Sequence, residues 1–233
     1  MPLHYHTSWP DGNTILMVWR IVESEDWFME RIPDALSFAH PRRHLHHLAG
    51  RFLLSQADPS FPYAALRLTE HGRPFLENGS RHFSITHSAD MAAVIVSQDL
   101  GVGVDLEFIS RRVLKVAPRF LGISERAWLA EAGLTDPVSG LPEGHLAVDI
   151  CTLLWSAKEA AYKWLGIPGL DFAACLEIEP FTPVASGEMK TRCRKDGELS
   201  FRIGYQRVGE AWLTWIAEPL DLHRPGQRLP SAG

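Results

Sequence analysis

Long apolar runs are missing from this 233-residue chain. The longest, residues 15–19 and 91–96, stop far short of the roughly 20 residues that span a bilayer. The first residues lack the basic start and apolar core of a signal peptide. Cysteine is scarce: Cys151, Cys175 and Cys193 lie far apart and form no C-x-x-C pair, which suits a reducing compartment and gives neither a zinc site nor a disulfide framework. An excess of basic charge is missing too. The formal net charge of −5 argues against a general nucleic-acid binder. These absences point to a cytoplasmic, soluble protein with neither nucleic acid nor membrane among its partners. With 45% hydrophobic and 22% charged residues, the chain is ordinary globular material, long enough for one large domain or two small ones.

What is present reads as helices and strands in alternating groups. Residues 15–22 are rich in β-formers and follow the turn Asp11-Gly12-Asn13. A helix is expected over 41–57, where Pro41 suits the first turn and Leu45, Leu48, Ala49, Phe52 and Leu53 recur with helical spacing. Strands are expected near 64–69, over 83–86, 91–97 and 101–107, with a turn at His71-Gly72-Arg73-Pro74. Helices follow at 111–121, from Ser124, and over 146–165, the last stopped by Gly166 and Pro168; residues 133–144 read as a loop. Strand-like segments close the chain at 175–179, 189–194, 199–205 and 212–217, and the tail from His223 is expected to be disordered. Both halves read as helix plus antiparallel strands. The expected fold class is therefore α+β.

Four segments can carry chemistry. In Gly101-Val102-Gly103-Val104-Asp105-Leu106-Glu107, alternation puts Val102, Val104 and Leu106 on one face of a strand and Asp105 and Glu107 on the other. Two carboxylates that close repel unless a hard cation lies between them; a polar face at a sheet edge explains the same pattern. In Trp155-Ser156-Ala157-Lys158-Glu159-Ala160-Ala161-Tyr162-Lys163, Glu159 and Lys163 are four apart on a helix, as are Lys158 and Tyr162. Read alone, this is a solvated helix pair. Phe83-Ser84-Ile85-Thr86-His87-Ser88 ends a strand on polar groups that can hold phosphate oxygens or serve structure. Gly72-Arg73-Pro74 alone is a turn with an exposed arginine.

Taken in order, these four segments resemble the signature motifs of the 4′-phosphopantetheinyl transferase superfamily. Arg119-Phe120-Leu121 followed by Ser124-Glu125 is similar to a further stretch of that family. The spacing resembles the long, surfactin-synthetase-activating class, a monomer of two similar lobes (a pseudo-dimer), each an antiparallel sheet packed with helices. The resemblance implies an N-terminal lobe over 1–103 that binds coenzyme A. It implies a C-terminal lobe over 104–222 with the metal site and carrier docking, before a tail at 223–233. By the same resemblance Asp105, Glu107 and Glu159 are ligands of Mg²⁺ (or Mn²⁺), and Glu159 helps deprotonate a serine of an apo acyl or peptidyl carrier protein. Lys163 binds phosphate oxygens and neutralises charge as 3′,5′-ADP leaves. Thr86, His87 and Arg73 match contacts of coenzyme A, with Arg73 in place of the family's lysine, Thr86 in place of its commoner serine and Ser84 where asparagine is frequent. The implied enzyme is of the holo-carrier-protein synthase type.

Two basic stripes accompany these motifs. Arg43, His47 and Arg51 recur every four residues on the first long helix. They read as a solvated face or as a surface for the 3′-phosphate of coenzyme A, with Arg43 and Arg51 the better contacts because the family places such contacts there. His40, His44, His46 and His47 crowd the same region, but His40 precedes proline and is disfavoured in helical geometry, which argues against zinc. The second stripe is Arg111, Arg112, Lys115 and Arg119. A coenzyme A-binding relative without activity would lack one of Asp105, Glu107, Glu159 or Lys163. A carboxylate-metal phosphohydrolase would not call for the Gly-Arg-Pro turn or a carrier-docking face.

Overall fold

The computed structural model describes residues 3–10, 12–32, 40–70, 72–195 and 197–219. The expected tail lies outside them. Among the described residues the chain builds two main antiparallel sheets, each with one long helix against it. The first sheet has the order β1-β2-β6-β5, formed by β1 (Leu3–Ser8), β2 (Thr14–Arg20), β5 (His82–Ser88) and β6 (Met91–Ser97). A small hairpin of β3 (Leu66–Leu68) and β4 (Pro74–Leu76) precedes β5, and the short helix α1 (Glu25–Met29) precedes α2 (Pro41–Ala57). The second sheet has the order β7-β11-β10-β9-β8, from β7 (Gly101–Phe108), β8 (Leu176–Ile178), β9 (Ser186–Cys193), β10 (Leu199–Val208) and β11 (Ala211–Glu218). Between β7 and β8 run α3 (Arg112–Phe120), α4 (Ile123–Glu131), α5 (Gly144–Leu165) and α6 (Phe172–Cys175).

The period-2 alternation of the strands explains the layering. Met17, Ala92, Val94 and Val96 face α2 with Leu48, Phe52 and Leu53, whereas their neighbours Leu16, Val18, Met91, Ala93 and Ile95 face the other way. There they meet Val102, Val104 and Leu106 of β7 and Ala211 and Leu213 of β11. One core thus joins the two sheets, and β6, covered on both sides, is buried along its whole length. The opposite faces of β7 and β11 lie under α5. Gly103 makes that approach close, since a Cβ there would collide with the carbonyl of Ala160 and with Trp164. At its far end α5 stops on Gly166, whose φ of 65° suits glycine, with its N–H donating to the Tyr162 carbonyl.

Most elements lie where the sequence pattern predicts them. α2 starts on Pro41, and His40 before it is extended (φ −96°, ψ 116°), as a residue preceding proline should be. Of residues 64–69, expected as strand, the first two belong instead to a short 3₁₀ turn, Tyr63–Ala65, before β3. The loop 133–144 carries a bridge between Thr135 and Pro142. β1, α1, β4 and α6 carry no expectation from the sequence. β1 alternates His4, His6 and Ser8 outward with Leu3, Tyr5 and Thr7 inward, a pattern too polar to be read as a strand.

Candidate active site

The alternation predicted for β7 holds. With Val102, Val104 and Leu106 in the intersheet core, Asp105 and Glu107 point toward α5, Asp105 with only 6% of its surface exposed. Asp105 lies opposite Thr214 of β11, and Thr214 shares a 2.9 Å hydrogen bond with Ser156 of α5. That buried contact fixes the helix at the level of the carboxylate. One turn along α5, Glu159 faces Asp105 and Glu107. Lys163 reaches back to donate to Asp105 Oδ1 at 2.7 Å and to the Val104 carbonyl at 2.9 Å.

Mutual repulsion marks the cluster. Glu159 is pushed up to about 7, first by burial, then by Asp105, with Lys163 opposing and Glu107 adding to the rise. Glu107 is raised by burial and by Asp105 against the pull of Ser88, Trp155 and Lys163. Asp105 Oδ2 is buried without a hydrogen-bond partner. A buried carboxylate oxygen with no donor is costly, and three oxygen-donor groups sharing negative charge are what a hard divalent cation binds. The donor types therefore suit a hard cation. Among the described residues no three candidate ligand groups already converge at metal-binding distance; Lys163 holds the Asp105 oxygen nearest to it.

The edge strand β5 closes the site from the other sheet. Thr86 Oγ1 donates to Asp105 Oδ1 at 3.0 Å, and Ser88 Oγ donates to Glu107 Oε2 at 3.2 Å. Between them His87 points to the opposite side. Although partly exposed, its ring stacks on His46 of α2 (centroids 4.3 Å apart), and burial, His46 and Lys163 lower its pKa to about 4. At neutral pH it is an uncharged donor-acceptor beside the cluster. His46 Nε2 donates to the Ala89 carbonyl at 2.9 Å, holding the hairpin end where Ala89 has a φ of 50°.

The structure thus brings Asp105, Glu107, Glu159, Lys163 and Thr86 together, with His87 on the other face of β5 against His46. The basic residues behave differently. Arg73 packs its guanidinium against Gly166, at the C-terminal end of α5. Arg43 is exposed on the first turn of α2. Arg51 is not on a solvated face at all: it is 9% exposed, with its guanidinium 4.9 Å above the Tyr63 ring and its carbonyl accepting from the Tyr63 hydroxyl.

Lys158 and Glu125 were not legible as a pair from sequence. Lys158 is fully buried and donates to Glu125 Oε2 (2.6 Å) and to the carbonyls of Phe120 (2.6 Å), Leu176 (2.8 Å) and Phe172 (3.3 Å). Glu125 also accepts from the N–H groups of Gly122 and Ile178. The pair bolts α5 to α3, α4, α6 and β8, and with its hydrogen bonds filled it avoids the penalty of a bare buried charge. The available signal was Lys158 inside the apolar stripe Cys151, Leu154, Ala161 and Leu165.

Comparison with known proteins gives the family. Residues 101–215 match the family model described as the 4′-phosphopantetheinyl transferase superfamily. The chain is 31% identical over 141 residues to the 4′-phosphopantetheinyl transferase AcpT of Salmonella typhi, covering 58% of this chain and 67% of that protein, and matches its Salmonella typhimurium counterpart equally. It is 32% identical over 100 residues to the 4′-phosphopantetheinyl transferase gsp of Aneurinibacillus migulanus, covering 43% of this chain but only 37% of that protein. The chain belongs to the 4′-phosphopantetheinyl transferase superfamily.

Proposed function

We propose that this chain transfers the 4′-phosphopantetheine arm of coenzyme A to a serine of an apo acyl or peptidyl carrier protein, releasing 3′,5′-ADP. The observation that carries this reading is the cluster of Asp105, Glu107 and Glu159 beside Lys163 at the junction of the two sheets. The serine oxygen attacks the β-phosphorus of coenzyme A as the bond to the 3′,5′-ADP oxygen breaks. Asp105, Glu107 and Glu159 would hold a divalent cation, Mg²⁺ or Mn²⁺, which when bound neutralises the diphosphate. Lys163 follows the charge that develops on the departing phosphate, leaving Asp105 to do so. Glu159 receives the serine proton through a water. His87, uncharged at neutral pH, hydrogen-bonds a phosphate oxygen, with Thr86 beside it. Arg73 and Arg43 carry positive charge toward the nucleotide end, and Arg51 supports α2 from within. Residues 1–103 form the coenzyme A side and 104–222 the metal and carrier side of a chain that works as a monomer; a trimeric sedimentation mass would contradict that.

The test is to mix the protein with Mg²⁺, coenzyme A and a panel of apo carrier proteins and to read their intact masses. A phosphopantetheine increment on a carrier identifies both reaction and partner. Coenzyme A consumed with every carrier unmodified would overturn the reading in favour of hydrolysis.

A further inference from the structure

Where β5 and β7 meet, side chains take the place of a backbone ladder. The two strands belong to different sheets, yet alternate residues of β5 contact β7 in sequence. Ser84 Oγ accepts from the Val104 N–H at 3.1 Å, Thr86 donates to Asp105, and Ser88 donates to Glu107. The intervening residues Phe83 and Ile85 pack toward α2, as His87 does through His46. One strand therefore presents its hydroxyl face to the carboxylates and its other face to α2.

We infer that Ser88 and Thr86 are positioning residues for the metal carboxylates, so that cation affinity depends on the first sheet as well as on the second; this rests on the carboxylates being the metal site. Each hydroxyl occupies one oxygen of one carboxylate. Asp105 is fixed at Oδ1 by Thr86 and Lys163, which leaves the buried Oδ2 as its open oxygen. Glu107 is fixed at Oε2 by Ser88. A glutamate has three side-chain torsions to restrain, so its orientation depends on such donors more than that of an aspartate. Hydrogen bonds to ligand carboxylates orient them, and losing one typically costs about 10–100-fold in metal affinity. The Ser88 side chain is only half-buried and lies outside the three apolar core clusters.

Mn²⁺ titrated into protein plus coenzyme A, followed by the electron paramagnetic resonance signal of free Mn²⁺ with a protein-free control subtracted, tests this. Ser88→Ala should weaken protein-dependent binding about 10-fold, Ser88→Thr should restore it, and both should melt at the wild-type temperature. In transfer assays Ser88→Ala should need correspondingly more Mg²⁺ while reaching near-normal kcat at saturation. Wild-type Mn²⁺ affinity in Ser88→Ala, with binding abolished in Asp105→Ala, would overturn the positioning role and leave the metal site standing. Binding unchanged in Asp105→Ala would overturn both. A kcat loss in Ser88→Ala that added Mg²⁺ does not repair would also contradict it.

Discussion

At the scale of single residues, the site stores unfavourable charge. Glu159 ionises near 7 in the folded chain against 4.5 for a free side chain, so it remains protonated over a range where the unfolded chain has lost its proton. Stability contributed by the protonated group is therefore complete below about pH 4.5 and is lost as the pH rises through about 7. In the metal-free protein, Glu159→Gln should raise stability at pH 8 by on the order of 1–3 kcal/mol and change little at pH 4.5. Urea unfolding at both pH values measures this; equal effects at the two would contradict the buried-charge account. The residue types of the site were legible because Asp105, Glu107, Glu159 and Lys163 sit in specific motifs. The turn of Arg51 into the α2 core was not, since a helical spacing of four says which residues share a face and not which way that face points. For Lys158 the apolar stripe around it was the signal, but nothing in the local pattern names its partner, Glu125, 33 positions away.

At the scale of elements, the geometry depends on how closely α5 lies on β7. The bounds of α2 and β6 were read from sequence without error because Pro41 and a continuous apolar run mark them. The distance of α5 from β7 could not be read that way, because it depends on a glycine whose missing Cβ matters only in three dimensions. Gly103→Ala would force its methyl into the Ala160 carbonyl and the Trp164 side chain. Lifting the helix separates Lys163 and Glu159 from Asp105. The substitution should destabilise by about 1–3 kcal/mol and lower kcat well beyond what the residual folded fraction explains. Thermal melting and steady-state rates on the same samples check it, and a stable, fully active Gly103→Ala would show that the close approach is not required.

At the scale of the whole molecule, an acidic protein must attract its partner through a local patch. Arg112, Lys115 and Arg119 lie exposed on α3, while Val113, Ala117 and Phe120 anchor its other side in the core. This helix follows the carboxylate strand after a short turn. For an acidic carrier as the proposed partner, attraction to these exposed charges would fade as salt shortens the Debye length from about 10 Å at 0.1 M to about 3 Å at 1 M. Reversing Lys115 and Arg119 to glutamate should lower kcat/KM for the carrier, flatten its salt dependence and leave coenzyme A affinity unchanged. Carrier kinetics unaltered at low ionic strength would move the docking surface elsewhere.

The α+β architecture was legible from periodicity, and the two-sheet arrangement followed from the resemblance. The core that joins the sheets was not, because Leu16, Val18 and Ile95 look the same in sequence whether they face a helix or a second sheet. That junction is where the carboxylates, Lys163 and the β5 hydroxyls meet. The central claim is that this cluster performs transfer. Its most direct test is the intact mass of an apo carrier after incubation with coenzyme A, Mg²⁺ and either wild-type protein, Asp105→Ala or Glu159→Gln, with circular dichroism on each protein. The account predicts the phosphopantetheine increment with wild type and its loss in both variants at unchanged fold. Near-normal modification by either variant would contradict it.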